Sequence, residues 1–212
     1  MTNQNRLPIW RFLLPISLQI ALILAVPAQA VYTHLIGTTV ILQTAPVDPY
    51  DFLRGYYQTL NYEIAQTNTL RNLPGWESLP KNEGNSESLK TGSRIYVILE
   101  QPESPSRGEI PAPWKPVQVQ SSLPDNVAAD RVVIEGVSRY GTVNYGLERY
   151  YLPEDQREQI NRQIRSLQRP TQPQDAETQE EQTIPFVVEV KVSRNGNAVP
   201  VSLWIGDRQY QF

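Results

Sequence analysis

Four charged residues crowd into one stretch, PVDPYDFLRGYYQTLNYE: Asp48, Asp51, Arg54 and Glu63. A fifth, Glu148, lies in the later block YGLERYYLPE. Paired carboxylates transfer protons when their surroundings hold one protonated and the other ionised. On that reading Asp48, Asp51, Arg54 and Glu63 line a polar pocket close to the apolar N-terminal segment. An arginine flanked by acids in a turn equally makes a local ion pair. Glu148 has the same two readings: set mid-strand, with Tyr145 and Tyr150 as potential partners, it is the better candidate for a buried, hydrogen-bonded carboxylate. Glu154 is explained as a partner for the positive end of a helix.

Other chemistries are poorly supplied. There is no cysteine and one histidine, His34, so thiolate metal sites, disulfides and His-based triads have no residues to draw on. A Ser/Lys hydrolase needs a desolvated lysine. Lys81 and Lys90 fall in an Asn/Ser-rich stretch, Lys115 precedes Pro116, and Lys191 alternates onto a polar strand face. No pair of acids is singled out for glycoside hydrolysis. The residues therefore assign no catalytic group, no metal and no cofactor, and an enzyme is not the expected class. A formal net charge of -3 offers no broad positive field, which argues against nucleic acid as a partner.

The elements that position these groups begin with a targeting segment. Counting 12 through 33, 22 residues carry no charge, against roughly 20 needed to cross a bilayer as a helix. Arg6 and Arg11 precede the run and the next lysine or arginine is Arg54. That asymmetry keeps the N-terminus in the cytoplasm and exports the rest. Residues 1–36 thus read as a cytoplasmic N-terminus with a single-pass transmembrane anchor. Ala28-Gln29-Ala30 is also an A-x-A cleavage site, so a secretory signal peptide stands as the alternative. A buried core helix fits less well, because the apolar positions run all round the helix.

Residues 37–212 read as one mainly β, antiparallel, barrel-like extracytoplasmic domain with one short helix. The 18 prolines and the short β-branched and aromatic runs between turn residues carry this expectation. Strands are expected over 38–44, 56–64, 93–100, 117–121, 131–137, 142–152, 184–193 and 198–205. In the last pair, Phe186, Val188, Val190 and Val192 alternate with Val187, Glu189 and Lys191, and Asn195-Gly196 supplies a tight turn. The helix is expected from Pro153 to Pro170, and loops over 67–91 and 169–183.

The stretch Gly55-Tyr56-Tyr57-Gln58-Thr59-Leu60-Asn61-Tyr62, with its PVDP lead-in, resembles the GDYXXLXY family signature. Tyr56 stands where the signature has aspartate. The block from Tyr145 to Glu154 is similar to the family's downstream strand leading into a helix. The resemblance implies a bacterial protein held by one N-terminal membrane helix, often encoded near multispanning membrane proteins, with no reaction assigned. It favours a retained anchor over a cleaved signal. The motif residues Gly55, Tyr57, Leu60 and Tyr62 can also be read directly. On a strand, Tyr56, Leu60, Tyr62 and Ile64 share one face and Tyr57, Thr59, Asn61 and Glu63 the other. The packing reading makes Leu60 and Tyr62 core and Gly55 a turn or bulge.

The function expected is a membrane-tethered binding or assembly module in the bacterial inner membrane, its β domain periplasmic, acting with an integral membrane protein partner. The alternatives are a carboxylate-dependent envelope hydrolase and a secreted ligand-binding β domain. For the latter, Tyr145, Tyr150 and Tyr151 would offer a tyrosine surface to glycans or pigments.

Overall fold

The computed structural model describes residues 9–44, 58–104, 106–107, 110–150 and 186–211. Helix α1 (Trp10–Ile36) leads into β1 (Thr38–Gln43) and β2 (Gln58–Thr59); a 3-10 turn (Glu63–Ala65), α2 (Thr67–Arg71) and a second 3-10 turn (Trp76–Ser78) follow. Next come β3 (Lys81–Asn82), β4 (Asn85–Leu89), β5 (Arg94–Glu100), β6 (Ser106–Arg107), β7 (Ile110–Pro111), β8 (Lys115–Gln120) and β9 (Arg131–Arg139). The series closes with β10 (Thr142–Asn144), β11 (Arg149–Tyr150), β12 (Phe186–Val192), β13 (Ala198–Ile205) and β14 (Arg208–Gln211).

Helix α1 is apolar all round. Its large side chains from Trp10 to Leu24 are exposed by 50% (Ile16) to 64% (Leu22 and Ile23), so the β domain leaves this part of the helix uncovered. Pro27 has no N–H to give to the preceding turn, and a proline inside a helix kinks it. The halves Trp10–Ala25 and Pro27–Ile36 meet at 42°. No single helix among the described residues is long and apolar enough to cross a membrane, whereas the two halves together have the length and composition. The single helix expected over the uncharged run is therefore present but bent at Pro27. Near its end the helix touches β12 and β13, and Thr33 is fully buried there. Gly37 ends it, its N–H donating to the Thr33 carbonyl at 2.8 Å. A Cβ on Gly37 would run into that carbonyl and into Lys191 Cβ at 3.1 Å. The helix passes into the sheet with no linker.

Two four-stranded antiparallel sheets follow, in the orders β1-β12-β13-β14 and β10-β9-β5-β8. Val40, Leu42, Val188, Val190 and Leu203 of the first share one apolar core with Ile95, Val97, Leu99, Val119 and Ile134 of the second. These are alternate positions along their strands, so each sheet turns one face inward, and the two pack as layers. The Glu135 N–H donates to the Gly196 carbonyl at 2.9 Å, tying the β12–β13 turn onto β9.

The domain is mainly β and antiparallel, as expected, but the described sheets are open and none closes into a barrel. Strand β1 runs along nearly the whole range expected for it, and the β12–β13 hairpin forms. Its turn differs in detail: Gly196 N–H returns to the Ser193 carbonyl at 3.0 Å and Gly196 alone takes a positive φ, +90°. This is a longer connection than a two-residue turn, closed by a left-handed glycine. The expected loop 67–91 is instead structured. It holds α2, the Trp76 turn and the β3–β4 hairpin, because Leu70, Trp76, Leu79 and Leu89 are buried in the core. Polar residues between those four mask an apolar spacing that only tertiary packing makes visible. The expected strand 142–152 is broken after Asn144, where Gly146 adopts φ +76°. The expected helix from Pro153 to Pro170 and loop 169–183 lie outside the described residues.

Candidate functional site

The two distinctive sequence blocks are brought against each other at the end of β1 remote from α1. Thr44, just past β1, bridges to Tyr62. Strand β2 pairs with β11 through Thr59 and Arg149, and the Leu60 N–H donates to the Glu148 carbonyl at 2.9 Å. Two phenols then close the junction in opposite directions. Tyr62 Oη donates to the Leu147 carbonyl at 2.9 Å, and Tyr145 Oη donates to the Ile64 carbonyl at 2.7 Å. Each tyrosine satisfies a backbone acceptor in the other block, so neither block buries its polar groups without the other.

Glu148 organises the turn between β10 and β11. Its Oε1 accepts the Tyr145 N–H at 2.5 Å, while Asn144 Oδ1 accepts the Gly146 N–H at 3.2 Å. The carboxylate is thus engaged with backbone in a turn and does not sit mid-strand. Burial, with the Glu148 charge adding to it, pushes the Tyr62 phenol far above its ordinary 10.0. The same two causes raise the Tyr145 phenol well above that value. Both stay protonated donors across the physiological range, which suits them to holding carbonyls.

Leu60, Tyr62 and Ile64 are buried while Asn61 and Glu63 are exposed, which is the face division expected for the motif. The strand itself is shorter than expected, because the chain turns into the 3-10 helix at Glu63. Gly55, Tyr57, Asp48, Asp51 and Arg54 lie outside the described residues. Of the expected polar group, Glu63 is exposed and Glu148 is half-buried in its turn. A pocket close to α1 is contradicted for Glu63: Tyr62 bridges to Thr44, at the far end of a six-residue strand, about 20 Å from the helix by strand rise. A tyrosine surface including Tyr145 is contradicted too, since that ring is 6% exposed. Among the described residues, no three His, Asp or Glu side chains gather as a metal site requires.

Lys81 departs from the expectation that no lysine is buried. Its Nζ lies 3.3 Å from the centre of the Trp76 ring and is enclosed without a hydrogen-bond partner among the described residues. Burial lowers its pKa; Glu77 opposes the shift and Arg71 adds to it. A cation held on an indole face accounts for the placement. The signal in the sequence was the spacing of Trp76 and Leu79 before Lys81, hidden within a polar stretch.

Two clefts flank the end of α1, of about 540 Å³ and 290 Å³. Thr38, Val192, Ser193 and Arg194 line both.

Fold and site together define a mainly β protein in which two packed antiparallel sheets are joined directly to an apolar N-terminal helix and pinned by a pair of reciprocal tyrosine bonds. The chain belongs to the GDYXXLXY protein family, whose sequence model matches residues 19–203. The match reaches from within α1 into β13 and includes both blocks that meet at Tyr62 and Tyr145. No curated protein and no solved structure matches the chain significantly.

Proposed function

We propose that this protein is a single-pass, membrane-tethered assembly module of the bacterial inner membrane. In this reading α1 is the anchor, the N-terminus is cytoplasmic, and the β domain faces the periplasm. The β domain docks an extracytoplasmic part of an integral membrane protein and carries out no reaction of its own. The observation that carries the reading is the uncovered apolar circumference of α1, from Trp10 at 59% exposure to Leu24 at 60%. Exposure of so much apolar surface is sustainable in lipid and costly in water. Support for a retained anchor over a secreted domain comes from the continuity of α1 through Ala28-Gln29-Ala30 to Ile36. Cleavage there would begin the chain inside a helix that packs on β12 and β13. Support for a non-enzymatic role comes from Tyr62, Tyr145 and Glu148, whose polar atoms are engaged in closing the fold.

The test is fractionation of the C-terminally tagged chain with mass determination of its N-terminus, followed by gentle crosslinking of detergent extracts. Membrane-bound protein carrying the N-terminal segment, and a crosslink to an integral membrane protein, are expected. A soluble product beginning at Val31, or a lone monomer after crosslinking, would overturn the anchor or the assembly role respectively.

A further inference from the structure

The end of the β domain beside α1 carries a second feature suited to lipid. The turn Ser193–Asn195 and the helix residues Gln29, Tyr32 and Ile36 line one cleft. The turn thus reaches alongside the last two turns of α1, beyond the point where the strand begins. Gln29 is 19 residues after Trp10, which at about 1.5 Å per residue is about 29 Å of helix. A bilayer's hydrocarbon core is about 30 Å thick. Trp10 and Tyr32, exposed by 59% and 61%, fall near its two boundaries, where aromatic side chains concentrate. On that scale Arg194, in the same cleft as Gln29 and Tyr32, lies at the level of the outer phosphates. The adjoining cleft joins Arg194 and Thr38 to Pro124, Asp125 and Val127. On this second loop Leu123 and Val127 are exposed by 41% and 40%. These are the only large apolar side chains among the described residues, apart from the helix and Tyr140, that stand out this far.

We infer that the 121–130 loop and the Ser193–Asn197 turn form a second membrane contact. Leu123 and Val127 dip into the outer headgroup layer, and Arg194 pairs with lipid phosphate, so the domain lies on the bilayer and does not merely hang from the helix. The occupant of this face is the bilayer that holds α1, because the face is continuous with the point where the helix leaves it. This inference rests on the anchor reading above. Tyr140 supplies the built-in control: it is 94% exposed and follows a nine-residue strand whose first residue lines the Arg194 cleft. By strand rise it stands about 30 Å away.

The chain has no cysteine, so single cysteines can be labelled cleanly. The full chain is reconstituted in vesicles of phosphatidylethanolamine and phosphatidylglycerol containing lipid spin-labelled at the headgroup, to report on residues 123, 127 and 140, and in a second preparation lipid spin-labelled along the acyl chain, to report on residue 18. A fluorescent probe is placed in turn at Leu18→Cys, Leu123→Cys, Val127→Cys and Tyr140→Cys. The expected result is quenching at residues 18, 123 and 127 and none at 140. Quenching at 18 with 123 and 127 as bright as 140 overturns the second contact and leaves the anchor standing. No quenching at 18 overturns both. Arg194→Gln should shift the contact at 127 about five-fold toward the undocked state without changing the signal at 18; an unchanged signal at 127 removes the phosphate pairing.

Discussion

The ring of Tyr145 occupies the space that a side chain on residue 136 would need. A Cβ built on Gly136 would lie 2.8 Å and 2.9 Å from Tyr145 Cε1 and Cδ1, and would also meet Val143. Gly136 sits in the middle of β9, where glycine is otherwise unfavourable. Its presence is explained by the ring. Gly136→Ala should therefore destabilise the domain by about 1–3 kcal/mol, the usual cost of overpacking a core. Urea unfolding measures it, with an unchanged midpoint as the contrary result.

Removing either phenol leaves a buried carbonyl unpaired. Tyr62→Phe and Tyr145→Phe should each cost about 1–3 kcal/mol. Because both bonds join the same two segments, the double variant should depart from additivity by about 0.5 kcal/mol or more. A double-mutant cycle in urea reads the coupling directly; strict additivity would mean that the two bonds act as separate contacts.

The raised phenol pKa values of Tyr62 and Tyr145 fix a direction for alkaline stability. Below the ordinary value of 10.0 both folded and unfolded chains keep these protons, so the stabilisation is intact. Above it the unfolded phenols ionise while the folded ones resist, and stability falls as pH rises. Thermal unfolding followed from neutral pH upward should show the decline beginning near that value. It should be shallower in the Tyr62→Phe/Tyr145→Phe chain, whose two phenols are gone; an equal slope would count against the burial of these groups.

Gly196 meets two demands at once: φ is +90° and a Cβ would lie 2.9 Å from the Glu135 nitrogen. Asparagine tolerates left-handed backbone better than alanine does. If backbone angle alone mattered, Gly196→Asn would be milder than Gly196→Ala. The close approach to β9 predicts that both lose more than about 1 kcal/mol. Paired denaturation curves decide between the two causes.

Much of the strand framework was legible because the signal is local. Phe186, Val188, Val190 and Val192 alternate in the chain and are buried in the core; Leu60, Tyr62 and Ile64 keep the face that period two assigns them. What the sequence hid depends on distance. Leu70, Trp76 and Leu79 are separated by polar residues and become core only when sheets close over them, so a compositional reading takes their segment for a loop. The candidate site was half legible: Glu148 was singled out, but its partner proved to be the Tyr145 N–H, three residues back. No spacing rule announces that Tyr62 and Tyr145, 83 positions apart by number, would exchange hydrogen bonds with each other's neighbours.

The junction at Gly37 has a mechanical consequence. A flexible linker would let the domain sample many orientations and would absorb any force applied to it. Here Thr33 is buried against the sheet and Gly37 is wedged beside Lys191, so helix and sheet turn as one rod. If α1 is the anchor proposed above, a tilt of about 20°, ordinary for a membrane helix, sweeps the Tyr62 end sideways by about 7 Å over a strand of about 20 Å. On that reading the domain is a lever, in which the position of the far end and the angle of the helix change together.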